Sequence, residues 1–350
     1  MNRKTFGIKE KKAGLILLSN LFMIMLLLGS CSRTISYDNF AGFAQGTTYS
    51  MVFENDGSLN PEEIRSEVEK ILHDFDLSLS LYVDSSILSR VNRNEDVVVD
   101  PYFTEAYEKS VKISEITGGA FDITVGPLVK AWGFGPDEHR NFTEERRDSL
   151  LRLVGMDKVR LENGRVIKSD PDIFLDFNAI AQGYSVDVIA AYFNSRGIKT
   201  YLVEIGGEVR VRGDKQGVPW RIGIDRPEEN NNIPGSDLQA IINLKNKSLA
   251  TSGNYRKFYV EDGIKYSHTI DPRTGYPAMN QLLSATIIAS DCATADGIAT
   301  ACMVFGMEKT LEFLKLHNEF EAFLIYSDEE GKFRTWATDD LKKSVSEPGY

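Results

Sequence analysis

The chain has 350 residues, 42% of them hydrophobic, with 40 Lys+Arg against 51 Asp+Glu and a net charge of −11. Such an acidic chain lacks the basic surface that nucleic-acid binding needs. Its three cysteines are too few for a disulfide-stapled scaffold or a cysteine-rich metal site.

The first thirty residues read as a leader rather than as fold. Arg3, Lys4, Lys9, Lys11 and Lys12 make a basic start, and "AGLILLSNLFMIMLLLG" follows as an apolar run. It ends in "LGSC", which resembles a bacterial lipoprotein signal cleaved before Cys31, with Cys31 then acylated. A transmembrane helix fits less well, because Ser19 and Asn20 interrupt the run and small residues close it. The expectation is a signal over residues 1–30 and a tether over 31–42, holding a body outside the cytoplasm in a bacterial cell envelope. The leader removes five basic residues and one acid, so the remainder carries 35 Lys+Arg against 50 Asp+Glu, a net charge of −15. About 320 residues are left, enough for one large core or two intimate ones.

"TTYSMVFE" alternates and predicts a strand. Asn60 and Pro61 open a helix with apolar residues at 64, 68, 71, 72 and 75. "DPYFTEAYEKSVKISEITGG" predicts a second helix stopped by Gly118 and Gly119, and "FTEERRDSLLRLVG" a third. "KVRLENGRVIKS" is a hairpin turning at Asn163-Gly164. A fourth helix covers "AIAQGYSVDVIAAYFNSRG". Strands follow in "YLVEIGGEVRVRG", "WRIGI", "LQAIINLKNKSLAT", "YRKFYVEDGIKYSHTI" and "LLSATIIAS", with a polar surface loop from Arg226 to Asp237. Next come the helix of "CATADGIATA" and the stretch "TLEFLKLHNEFEAFLIYS". Consecutive late strands favour antiparallel pairing, hence an α+β fold with a mostly antiparallel sheet core and packed helices. Cys292 and Cys302 lie about 15 Å apart along one helical segment, too far to bridge, and read as buried small hydrophobes.

Several stretches are richer in special residues than core or surface requires. "TGGAFDITVGPLVKAWGFG" packs five glycines around Phe121, Asp122, Pro127 and Trp132. In "LDFNAIAQGYSVD" a strand carrying Asp176 turns into a helix, and such a turn offers free backbone groups to a phosphate. Its spacing matches neither dinucleotide nor Walker patterns. "YSHTIDPRTGYP" holds His268, a candidate general base, with Asp271 three residues on as a candidate to orient it. In the "CATADGIATA" helix, Asp296 and Thr300 stand four residues apart on one face. They read either as a hard-cation grip or as a surface Asp beside a back-bonding Thr.

Taken in order, "GTTY", "LSLY" with "SILSRVN", "GGAFDITVGPLVKAWGFG", "LDFNAIAQGYSVD", "EIGGEVRVRG", "ATSGNYRKF", "YSHTIDPRTGYP" and "ADGIATACMVFG" make the chain similar to the ApbE family of flavin transferases, the FAD:protein FMN transferases. The resemblance covers about residues 43–345. It implies a Mg²⁺ site from the Ala179 carbonyl and the Asp296 and Thr300 side chains, three hard oxygen donors. It implies FAD contacts at Gln45, Tyr82, Ala120, Phe121, Asp122, Asp176 and Gln182. Gln182 stands where a lysine often follows "IA" in this family, and Gln45 where a methionine often precedes "GT".

The implied reaction is Mg²⁺-dependent transfer of FMN from FAD to a Ser or Thr hydroxyl of an acceptor protein, with His268 as base and AMP released. Membrane redox subunits are the expected acceptors. Two alternatives stay open. Water could replace the acceptor, making the protein an FAD pyrophosphatase, or a lipid-anchored module could bind FAD without chemistry.

Overall fold

The computed structural model describes residues 36–134, 142–228, 235–254, 258–261, 264–267 and 269–348. Cys31 and His268 lie outside the described residues, as does the middle of the loop expected from Arg226 to Asp237.

Ser36–Ala44 (β1) and Thr47–Asn55 (β2) form a hairpin. It turns at Gln45-Gly46, both with positive φ, as a two-residue turn between right-twisted strands requires. The expected tether is therefore strand from Ser36 onward: β1 pairs with β2 along its whole length, and Phe40 packs against the core behind it. Pro61–Leu79 (α1) begins where the Asn60 side chain accepts from the Glu62 N–H at 3.1 Å. Its apolar stripe of Ile64, Val68, Leu72 and Phe75 is buried. Ile87–Asn92 (α2) and Pro101–Ile116 (α3) follow, then Gly126–Ala131 (α4) and Glu144–Leu151 (α5). Val159–Glu162 (β3) and Arg165–Lys168 (β4) make the hairpin expected at Asn163-Gly164.

Ala181–Ser195 (α6) leads into Tyr201–Ile205 (β5) and Glu208–Arg212 (β6). These two strands, expected as one run, double back at Gly206-Gly207, whose φ values are 66° and 108°. Trp220–Asp225 (β7), Leu238–Leu244 (β8) and Ser248–Gly253 (β9) come next. Phe258–Glu261 (β10), Ile264–Ser267 (β11) and Leu282–Ala289 (β12) precede Cys292–Leu316 (α7). α7 is broken at Gly306, where φ is 72°. Glu321–Ser327 (β13), Phe333–Ala337 (β14), Asp339–Lys342 (α8) and Val345–Ser346 (β15) complete the chain.

The organising element is an eight-stranded sheet in the order β1-β2-β5-β6-β9-β12-β13-β14. All its pairings are antiparallel, which agrees with the α+β expectation. One face meets the three-stranded sheet β15-β8-β7: Val209, Val211, Leu249 and Ile325 pack there on Trp220, Ile222 and Ile242. The other face is covered by helices. Met51, Phe53 and Val203 meet α1 and α6, while Ala250, Ala285 and Ile287 lie in one cluster with Ala293, Ala295 and Ile298 of α7. Strand alternation sends successive side chains to opposite faces. That is why β6 gives Val209 and Val211 to the sheet interface and turns Glu208, Arg210 and Arg212 toward the helices.

Candidate active site

The first turns of α6 and α7 cross at unusually short range. A Cβ on Gly183 would lie 2.4 Å from the Cys292 carbonyl oxygen and 2.8 Å from the Asp296 Cβ, so only glycine fits. The Gly183 N–H donates to Asp296 Oδ2 at 3.0 Å. Gly183 is the third residue of α6, where an N–H has no partner within the helix, and Asp296 supplies one. Ahead of it, Asp176 Oδ1 accepts from the Asn178 N–H at 2.8 Å, and the Asp176 N–H donates to the Ile123 carbonyl at 2.7 Å. The second bond ties the strand-to-helix turn to the glycine-rich segment.

Asp187, four residues beyond Gly183 on the same face of α6, secures the start of α7. Its carboxylate accepts from the Cys292 and Ala293 N–H groups, both at 2.9 Å, and pairs with Arg210 of β6. Asp291 caps the same helix by accepting from the Thr294 N–H at 3.1 Å and pairs with Lys109 at 3.2 Å. With its start so fixed, α7 presents Asp296 and, one turn later, Thr300. The Thr300 hydroxyl lies 3.3 Å from that of Ser252 on β9. Asp296 is buried, so it is not the surface residue of the alternative reading, and Thr300 is half-buried with its hydroxyl against Ser252. Carbonyl, hydroxyl and carboxylate are all hard oxygen donors, the kind that Mg²⁺ takes.

Gln45 and Gln182, distant in sequence, meet through Ser185. Its Oγ lies 3.1 Å from Gln45 Oε1 and 2.7 Å from the Gln182 carbonyl. The Gln45 Nε2 is buried without a hydrogen-bond partner, and Gln182 rests against Gly206 in the turn between β5 and β6. Ala120 and Phe121 are core residues, and Phe121 would touch a Cβ on Gly297 of α7 at 3.4 Å. The Asp122 carboxylate accepts from the Thr124 N–H and hydroxyl at 2.7 and 2.6 Å and from the Met156 N–H at 3.1 Å. It is thus committed to holding its own loop. Tyr82 is 73% exposed between α1 and α2.

His268 lies outside the described residues, but the chain after it is anchored beside this site. Thr269 donates to Asn254 Oδ1 at 3.1 Å, two residues beyond Ser252. Trp132 donates to the Gly275 carbonyl at 2.8 Å, joining the glycine-rich segment to the turn that follows His268. Asp271, a candidate to orient His268, accepts from Arg273 Nε and Nη2, both at 2.8 Å. Cys292 and Cys302 are both free and buried on α7, as expected.

The site is electrostatically loaded. Burial pushes the Asp296 carboxyl up to about 7, against the opposing pull of the Gly183 N–H. Glu208 at the start of β6 is pushed well above the usual carboxylate range, by burial and then by the charge of Asp296. Burial also raises Asp176, opposed by its bond from Asn178. Sequence reasoning singled out neither Asp187 nor Glu208. The first was legible as the fourth residue after Gly183; the second was not, because an acid on a strand reads as solvent-facing until the helices over that face are known.

The comparisons with known proteins come down on the same stretches. The ApbE family model matches residues 45–324. This chain belongs to the ApbE family. It is 34% identical over 329 residues to an FAD:protein FMN transferase of Vibrio cholerae, covering 92% of this chain and 97% of that protein. An enzyme of the same name from Haemophilus influenzae is also 34% identical, over 331 residues, covering 91% of this chain and 94% of its own. The solved flavin transferase ApbE of Vibrio cholerae superposes with a TM-score of 0.79 at 33% identity, covering 89% of this chain and 99% of that one. The apo flavinyl transferase ApbE of Pseudomonas stutzeri gives 0.79 at 33% identity, covering 89% and 97%. The ApbE fold thus accounts for the antiparallel sheet and for the convergence of α6 and α7.

Two outcomes follow from the crossing. Gly183→Ala is expected to destabilise the protein by about 1–3 kcal/mol, since its methyl group meets backbone rather than a flexible side chain; urea denaturation reads this, and an unchanged midpoint contradicts it. With divalent ions chelated, folded Asp296 holds its proton to about pH 7, whereas an unfolded Asp releases it near about 3.9. The folded state therefore binds more protons between those values, and stability from this group is lost as pH rises through them. Lowering the pH from about 8 to about 6 should raise the unfolding midpoint less in Asp296→Asn than in the parent, and equal slopes would contradict the account.

Proposed function

We propose that the protein transfers FMN from FAD to a Ser or Thr hydroxyl of an acceptor protein and releases AMP. The observation that carries this reading is the Gly183 N–H bond to Asp296. It joins the strand-to-helix turn of "LDFNAIAQG" to the "ADGIATA" helix. Relatives at about a third identity over nearly the whole chain carry the name FAD:protein FMN transferase.

Mg²⁺ would be held by the Ala179 carbonyl, Asp296 and Thr300, and when bound it supplies positive charge against the FAD pyrophosphate. The chain does the positioning. Gly183 fixes the Asp296 carboxylate, Ser252 sits against the Thr300 hydroxyl, and the Asp176–Asn178 turn sets the Ala179 carbonyl. Ser185 brings Gln45 and Gln182 together, where their amides can meet the cofactor without adding charge. Ala120, Phe121 and Asp122 line the cofactor through their backbone, because their side chains are committed to core and loop. Tyr82 offers an exposed ring to the flavin.

In the transfer, the acceptor oxygen bonds to the phosphorus on the FMN side of the pyrophosphate. The bond from that phosphorus to the bridging oxygen breaks. His268 takes the hydroxyl proton, and AMP leaves with the bridging oxygen. FMN stays attached to the acceptor by a phosphoester. The same reading anchors the protein by an acylated Cys31 in the cell envelope, with its body outside the cytoplasm and acceptors among membrane redox subunits.

Mass spectrometry of an acceptor mixed with the protein, FAD and Mg²⁺ should show one added FMN, and His268→Ala should lower the transfer rate by about 10²–10⁴-fold. AMP released with no labelled acceptor would make the protein a hydrolase, and no AMP at all a binding module. Cys31→Ser is expected to move the protein from the membrane fraction to the soluble one; a variant that stays with the membranes contradicts the anchor.

A further inference from the structure

Of the three polar residues that β6 turns toward the helices, two are matched. Arg210 pairs with Asp187, and Arg212 donates to Asn194 Oδ1 at 2.5 Å. Glu208 is not matched in this way: it is 7% exposed, and its Oε2 is buried without a hydrogen-bond partner. A buried carboxylate oxygen with no partner is costly, and the cost rises when the nearest charge has the same sign.

The sheet register says where this carboxylate points. Val209 pairs with Leu249 across β6 and β9, which sets Glu208 level with Ala250 and on the same face of the sheet. Ser252, two residues along β9, shares that face, and its hydroxyl lies 3.3 Å from Thr300. The Val209 carbonyl lies 3.6 Å from the Cys292 sulfur, one turn before Asp296. Glu208 therefore faces the stretch of α7 that carries Asp296 and Thr300. Two acids on facing elements repel each other across this spot, and among the described residues no Lys, Arg or His offsets either charge.

We propose that Glu208 is the second carboxylate of the cation site, reaching the ion held by Asp296 and Thr300 either directly or through one water. The inference rests on the metal reading above and adds to it a balance of charge. Two carboxylates offset one divalent ion, whereas Asp296 alone leaves the ion half-compensated before the pyrophosphate arrives. An orphan acid in a structure of this size is then explained by its partner being a cation rather than a side chain.

The test is titration of the full chain with Mn²⁺, with free Mn²⁺ read by its paramagnetic resonance signal, together with unfolding midpoints in EDTA. The parent should bind Mn²⁺, and Asp296→Asn should lose binding. Glu208→Gln should bind about 10–100-fold more weakly, the usual effect of removing a supporting ligand. In EDTA, Glu208→Gln should unfold at the parent temperature or above it, because it removes an unmatched charge. Equal Mn²⁺ affinity in parent and Glu208→Gln, with binding lost in Asp296→Asn, would overturn the role of Glu208 and leave the metal reading standing. A parent that binds no Mn²⁺ would overturn both. A lower midpoint for Glu208→Gln in EDTA would show that the fold needs this carboxylate without any cation, and would overturn the inference as well.

Discussion

A single hydrogen bond, from the Gly183 N–H to the Asp296 carboxylate, governs the arrangement described here. It forms only because two helices approach within the space of a missing side chain. Ala179 lies just before α6, and the bond satisfies one of the N–H groups that the start of that helix leaves without a partner inside it. It also gives Asp296, otherwise an expensive buried acid, a donor that fixes its direction. Asp187 reinforces the crossing from the same face of α6 by receiving both opening N–H groups of α7. Gly183 and Asp187 together make the α6–α7 junction a rigid frame, and the donor set is a property of that frame rather than of any one loop.

Charge explains why such a frame is kept. Asp296 and Glu208 are buried acids on facing elements, and burial pushes both above the normal carboxylate range. Free of a cation, this part of the protein is strained electrostatically. On the proposed reading, a divalent ion would offset the charge of these groups. On the same reading, the neutral glutamines at 45 and 182 would add hydrogen-bonding capacity near the cofactor and leave compensation of phosphate charge to the ion.

How much of this was legible beforehand depended on the kind of signal. Local chemistry spoke clearly. Asn60 with Pro61 marked the start of α1, its stripe marked the buried face, and Asn163-Gly164 marked a hairpin. The family's stretches, in order, pointed to the elements that meet around Asp296. Long-range facts were silent. β1 lacks an apolar alternation strong enough to distinguish it from a tether, since its identity comes from pairing with β2. The turn at Gly206-Gly207 was hidden in a run that reads as one strand, because glycine there serves positive φ rather than composition. Glu208 was missed for the same reason: an acid on a strand looks solvent-facing until the helices that cover that face are known.

The most direct test of the central claim is the anomalous diffraction of crystals of the full chain soaked with Mn²⁺ and FAD. The account requires one strong peak in contact with the Ala179 carbonyl, Asp296 and Thr300, with pyrophosphate oxygens completing the shell. A peak elsewhere, or density showing the Ala179 carbonyl and the Asp296 carboxylate turned away from a shared ion, would contradict it.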